Sequence, residues 1–206
     1  MDTALQSGKH NTRQLILAAA QKQFAHFGFT KTTMDEIAGD VGFGKASLYY
    51  YFPTKESLFE AVVTGEQEKF SERIAAVLTR DDSACDKVRC YVAHRFEYFS
   101  KLMNLNILDL RSTSKPRPSF KNMFDSFASR ELKFLTQILL EGKRSGELAI
   151  DSAERVAECF MHTMRGLRLC RTTTTSGPRV EDSDIRDLEK EVKFVTDIFL
   201  RGICKK

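Results

Sequence analysis

The chain has 206 residues, 42% of them hydrophobic, with 11 glycines, 4 prolines and a formal net charge of +4. That is enough apolar material for a real core in one or two domains, and the scarcity of glycine and proline beside abundant helix formers predicts an all-α protein. No run approaches the roughly 20 apolar residues that span a bilayer, and Met1–Lys9 lacks the apolar stretch of a signal peptide, so a soluble, cytoplasmic protein with no membrane partner is expected. Five cysteines (Cys85, Cys90, Cys159, Cys170, Cys204) make an odd number without a framework spacing, which predicts free thiols in a reducing compartment. No phosphate loop, dinucleotide fingerprint or serine elbow occurs, and none of the 4 histidines has a nucleophile at a compelling spacing, so neither an enzyme nor a cofactor is expected.

Met1–Lys9 is polar and reads as a flexible, frayed terminus; the alternative is a basic arm reaching a minor groove through Lys9 and Arg13. Thr12–Gly28 reads as a helix, with Ile16, Ala19, Ala20, Phe24 and Phe27 at helical spacing and Gly28 ending it. The stretch from Thr33 to Lys55 then predicts two short helices about a tight turn. Thr33 and Glu36 have the spacing of a capping box, and Ile37, Ala38 and Val41 give the first helix an apolar side. Gly42-Phe43-Gly44 breaks it, because glycine permits the backbone angles of a sharp turn. Lys45–Phe52 is a second helix stopped by Pro53, with Leu48 and Phe52 facing inward and Lys45, Ala46, Ser47, Tyr49 and Tyr50 facing out.

Two helices joined by a glycine turn are a helix-turn-helix, whose second helix lies in the DNA major groove. The full string resembles the DNA-binding head of the TetR/AcrR family of transcriptional regulators: Thr32-Thr33, Ile37-Ala38, Val41-Gly42, Lys45, Leu48-Tyr49, Tyr51-Phe52 and Thr54-Lys55-Glu56 carry the likeness, over roughly the first quarter of the chain. Thr33 and the adjacent amides suit a phosphate at a positive helix end. Lys45, Ala46, Ser47 and Tyr49 are placed for base edges and nearby phosphates. Tyr50 and Tyr51 offer hydroxyls to the backbone, although one of the three tyrosines is expected to pack instead. The resemblance assigns Lys55 a phosphate. The chain departs from the family at Gly44, where Ser or Thr is commoner; a cap and a hydroxyl contact are lost there, and the amides of Gly44 and Lys45 are left to replace them. Phe43 is bulkier than usual and can reach DNA. Residues 1–57 hold six Lys/Arg (Lys9, Arg13, Lys22, Lys31, Lys45, Lys55) against five Asp/Glu (Asp2, Asp35, Glu36, Asp40, Glu56), so affinity must come from placed contacts rather than a basic patch.

Beyond the head, the periodicity predicts helices over Lys55–Thr79, Asp82 or Ser83 to Met103, Asn104–Arg111, Ser119–Lys143, Asp151–Arg171 and Asp184–Ile203, with loops at Ser112–Ser119 and Thr172–Pro178, for about nine helices in all. Asp151 and Glu154 read as another capping box. The division expected is an arm over 1–9, a three-helix head over 10–57 and a helical ligand-binding and dimerisation domain over 58–206.

Large soft side chains in the second domain suit an adaptable small-molecule pocket, and Arg95, Phe96, Phe99, Met103, Phe120, Met123, Phe124 and Phe127 are its candidate lining; the competing reading is plain core. If Arg95 points inward it can pair with an acidic ligand; more often such an arginine snorkels outward. Leu188, Val192, Val195 and Phe199 repeat at a three-four rhythm, and Cys159, Thr163, Gly166 and Cys170 form a small-residue stripe. Paired with copies from a second subunit, these faces predict a four-helix bundle and a two-fold homodimer. Cys90 with His94 and Cys159 with His162 have metal-ligand spacings, but the pairs come from separate helices, and no metal is expected. The chain is therefore read as a dimeric regulator, most simply a repressor, that binds a palindromic operator in double-stranded DNA and is released by a small hydrophobic or amphipathic effector. Regulation without an inducer, or by metal or thiol chemistry, is the alternative.

Overall fold

Gly28 is where the N-terminal helix turns. Its φ of 81° and ψ of 162° break the regular helix inside α1 (Asp2–Lys31), a backbone conformation that glycine adopts without steric cost. The consequence is a change of face: Ile16, Ala20 and Phe24 are buried before the kink and Phe29 after it, while Phe27, expected on the buried stripe, is left 46% exposed against the ring of His26.

The structure is a computed structural model and describes residues 2–104, 118–174 and 182–205, with side chains over 10–101, 120–170 and 183–205. After α1 come α2 (Met34–Val41), α3 (Lys45–Tyr51), α4 (Lys55–Leu78), α5 (Ala84–Asn104), α6 (Pro118–Arg144), α7 (Ala153–Thr174) and α8 (Asp182–Ile203). Among the described residues the only β pairing is an isolated antiparallel bridge between Leu148 and Cys204. The protein is all-α, as the periodicity predicted. The helix expected over Asn104–Arg111 and the loop over Ser112–Ser119 fall largely outside the described residues. At the N-terminus, where a frayed segment was expected, the helix begins at Asp2. The start of α7 also differs: the amide of Arg155 donates to Ser152 Oγ at 3.2 Å, so Ser152 rather than Asp151 caps it.

Two compact units result, one of Met1–Gln67 with Lys101–Met123 and one of Glu68–Ser100 with Phe124–Lys206. In the first, Phe24, Phe29, Phe59 and Phe120 form an aromatic cluster. Phe59 meets Phe24, Phe29 and Phe120 edge-on at centroid distances of 5.2, 5.0 and 5.4 Å. Each such pair adds about 0.5–1.5 kcal/mol beyond area burial, and together they tie α1, α4 and the start of α6 into one core.

In the second unit Phe70, Tyr91, Tyr98 and Phe127 pack at centroid distances of 4.8–6.2 Å, and Leu135, Ile138 and Leu139 are also fully buried. Cys85 and Cys204, expected as free thiols, are joined by a disulfide across 119 residues of sequence, while Cys90 and Cys159 are free. The pairing was invisible in the spacing because the α5 start and the chain end meet only through the fold.

Candidate DNA-binding surface and the second unit

The helix-turn-helix is assembled from local signals that all agree. Thr33 Oγ1 accepts from the amide of Glu36 at 3.2 Å, and the Glu36 carboxylate accepts from the Thr33 amide at 2.8 Å, completing the capping box. The Thr33 hydroxyl, which donates to the Glu36 carboxylate at 2.7 Å, and after it the Thr33 amide hold the Glu36 carboxyl below its ordinary value. Gly42 closes α2 in the left-handed region at φ 73°, with its amide returning to the last turn. Gly44 precedes α3 without any side-chain cap, as its lack of a hydroxyl predicted; its carbonyl accepts from the Ser47 and Leu48 amides at 2.9 and 3.3 Å. Pro53 follows α3, and Thr54 and Ser57 exchange hydrogen bonds of 3.0 and 3.2 Å to start α4.

Leu48 and Phe52 are buried, which fixes the rotation of α3. Gly44, Lys45, Ala46, Ser47, Tyr49 and Tyr50 consequently face outward, with Tyr50 the most prominent at 71% exposure. Tyr51 is half-buried and meets the Tyr50 ring edge-on at 5.3 Å; Phe43 is also half-buried. Thr33 is exposed at the start of α2. The Arg13 guanidinium lies 5.2 Å from the centre of the Phe52 ring, so α1 braces α3 through a contact that the sequence did not suggest.

Two lysines are engaged within the protein. Lys45 Nζ is 2.9 Å from Asp35 Oδ2, across the turn from α3 to α2, and this contact raises the Lys45 pKa. Both partners are well exposed, so the pair contributes little to stability. Lys55, assigned to a phosphate by resemblance, has Nζ 2.8 and 2.9 Å from the carbonyl oxygens of Phe29 and Thr32 and 3.4 Å from that of Thr30. It fastens the end of α1, where carbonyls lack helical partners and a cation is favoured.

The candidate ligand residues divide between the units. Phe120 is buried in the first-unit aromatic core, and Met123, half-buried there, has Sδ 3.8 Å from Thr64 Oγ1. The side chain of Met103 lies outside the described residues. In the second unit Phe127 is buried core, while Phe96, Phe99 and Phe124 are half-buried. Arg95 does point inward: its Nε donates to Glu131 Oε1 at 2.5 Å, and Tyr91 Oη donates to the same oxygen at 2.8 Å, all three residues being buried. Burial foremost, then the neighbouring Glu131 charge, pushes the Tyr91 phenol well above its usual value. Glu131 is the partner that sequence reading missed; no spacing links residues 36 apart. The Arg95 and Arg168 guanidinium groups lie 4.5 and 4.4 Å from the centre of the Phe99 ring.

Of the residues assigned to a dimer face, Cys159, Thr163, Gly166 and Cys170 are exposed on α7. On α8, Leu188 and Val192 are buried within the protomer, and Val195 and Phe199 are half-buried, Phe199 packing on Phe160 at 4.5 Å. The apolar residues left open there are Phe194 and Ile198, at 67% and 54% exposure, with Leu169 of α7 at 50%. The rhythm on α8 thus includes two positions, Leu188 and Val192, that the protomer itself buries.

Comparison with known proteins agrees with this architecture. Residues 16–62 match the model for "Bacterial regulatory proteins, tetR family". The HTH-type transcriptional regulator QacR of Staphylococcus aureus is 24% identical over 197 residues, spanning 95% of this chain and all of that protein. Among solved structures, a transcriptional regulator from Cytophaga hutchinsonii is 39% identical, with a TM-score of 0.85 over 93% of this chain and 98% of that one. SmeT, the repressor of a multidrug efflux pump of Stenotrophomonas maltophilia, shares the fold at 19% identity and a TM-score of 0.71 over 94% of this chain and 91% of its own, and it has also been solved with triclosan. These relatives are regulators rather than enzymes. The chain belongs to the TetR family and is a DNA-binding transcriptional regulator.

Proposed function

We propose that the protein is a homodimeric, cytoplasmic repressor that binds a two-fold symmetric operator and is released by an apolar or amphipathic small molecule. Residues 10–57 are its head and 58–206 its ligand-binding and dimerising body. The observation that carries the reading is the outward face of α3: Lys45, Ala46, Ser47, Tyr49 and Tyr50 stand exposed on a helix whose other side is anchored by Leu48 and Phe52. A short helix so fixed presents small groups and donors to base edges and phosphates.

The open apolar residues Phe194, Ile198 and Leu169, beside the small exposed residues of α7, suit a second copy of the same surface. Such a dimer sets two recognition helices about 34–36 Å apart, one turn of duplex. The triclosan complex of SmeT supports a small-molecule effector by analogy. Release then follows from differential affinity of the effector for two forms of the dimer; moving it from mostly bound to mostly free needs a preference of up to about 5.5 kcal/mol.

Selection of bound duplexes from a random pool, followed by a screen for small molecules that release the winner, tests the reading. A symmetric consensus and at least one releasing compound are expected. Recovery of duplexes with no shared sequence contradicts operator recognition, and a consensus that no compound releases contradicts the effector.

A further inference from the structure

We infer that Cys85 and Cys204 are a reversible oxidation site that takes a hydroperoxide as oxidant and clasps the end of α8 to the start of α5. It goes beyond the repressor reading and depends on it only for location: in a thiol-reducing compartment a persistent disulfide is unusual, and those that form are mostly catalytic or redox-sensing.

The surroundings are built to hold the two sulfurs together whether or not they are bonded. Glu147 is the centre of the arrangement. Its carboxylate accepts from the amides of Ala84 and Cys85 at 2.7 and 3.0 Å, and its carbonyl accepts from the amide of Lys205 at 2.9 Å. One residue thus grips both chain segments that carry the cysteines. Ala149 donates to the Ile203 carbonyl at 2.7 Å, and Leu148 pairs with Cys204. Gly142 lies so close beneath that a Cβ there would come within 2.7 Å of Leu148. The second thiol is therefore presented to the first at high effective concentration, which chance proximity of surface cysteines does not provide.

Access separates the two roles. Cys85 is buried at 9% exposure, whereas Cys204 is part-exposed in the terminal segment. Cys204 is the sulfur an oxidant reaches first. Its thiol attacks the hydroperoxide, the O–O bond breaks, and a sulfenic acid and an alcohol (water, for hydrogen peroxide) result. The Cys85 thiol then displaces the hydroxyl, giving the disulfide and one water. A dithiol reverses the bond and leaves as its own cyclic disulfide. The exchange needs no other cysteine. In the reduced form the segment after α8 keeps only its backbone contacts, so the redox state sets how firmly the end of that helix is anchored.

The test uses the full chain, reduced with dithiothreitol and desalted, then treated with one equivalent of hydrogen peroxide. Thiol titration should fall from five groups to three, and peptide mapping should recover a single linked pair, Cys85 with Cys204. Cys85→Ser should trap Cys204 as a sulfenic acid that a cyclic diketone labels. Reduction should lower the Tm of the native chain by roughly 5–10 °C, and amide exchange at Ala149 and Lys205 should speed up; Cys204→Ser should ignore the reductant. Five thiols after peroxide, a link between other cysteines, or a Tm indifferent to reduction overturns the proposal. None of these readouts involves DNA, so the clasp and the repressor reading stand or fall separately, and the native chain decides the matter even if a variant does not fold.

Discussion

Lys55 Nζ lies 2.8 Å from the carbonyl oxygen of Phe29 and 4.6 Å from the centre of the same residue's ring. The ammonium group thus closes the end of α1 from the start of α4, with the aromatic core beneath it. Lys55→Ala is expected to destabilise the protein by about 1–3 kcal/mol, since charged hydrogen bonds to buried-side carbonyls are lost. Affinity for all duplexes should fall through a looser head, while the slope of log affinity against log salt is unchanged. A slope reduced by about one unit would instead put Lys55 on a phosphate. Thermal melts beside binding isotherms at several salt concentrations make the distinction.

The Tyr91–Glu131–Arg95 group makes a stability prediction. Glu131→Gln leaves the Arg95 guanidinium buried without a counter-charge, a change of about 3–5 kcal/mol, whereas Arg95→Met combined with Glu131→Leu should recover most of it. Urea unfolding of the single and double variants measures both. Because the folded Tyr91 pKa is raised, the folded state keeps a proton that the unfolded chain gives up. This contribution to stability is therefore full below the ordinary tyrosine value of about 10 and is lost as pH rises beyond it. Phenolate absorbance should show one tyrosine still protonated until the protein unfolds in alkali.

Recognition by α3 is tested at its exposed small residues. Ala46→Leu and Ser47→Ala should change which duplexes are selected while leaving the melting temperature within about 2 °C, as expected of surface positions. An unaltered consensus for both variants would move the base-reading face elsewhere.

Association is tested by neighbours on α8. Phe194→Glu should yield a folded monomer in sedimentation, because the side chain is 67% exposed in the protomer. Val192→Glu should instead impair folding, since Val192 is buried within it. A Phe194→Glu variant that sediments as a dimer places the interface on another surface.

The head was legible because its signals are local. A cap and its partner lie three residues apart, a left-handed glycine acts on its own backbone, and the burial of Leu48 with Phe52 follows from one helical turn. The contacts of Lys55 within the protein were not legible. Its acceptors are 23–26 residues away, and nothing in Thr54-Lys55-Glu56 distinguishes a lysine aimed at a phosphate from one turned back onto carbonyls.

In the body, periodicity located α4 to α8 within a few residues but left two decisions open. A strongly amphipathic helix announces an apolar face, yet Leu188 and Val192 meet the protomer's own core while Phe194 and Ile198 stay open, a difference set by where neighbouring helices pack. Phe120 and Phe127 have the same composition signal, but one joins Phe29 and Phe59 and the other Phe70 and Tyr98.

By itself the amino-acid order determined the helical class, the helix-turn-helix and the outward residues of α3, because hydrogen bonding and side-chain direction within a turn or two of helix settle them. Only the tertiary structure decided that Lys55 fastens α1, that Glu131 answers Arg95, and that Cys204 returns to Cys85. Each joins residues more than twenty positions apart, where spacing carries no information and packing alone brings the partners within reach.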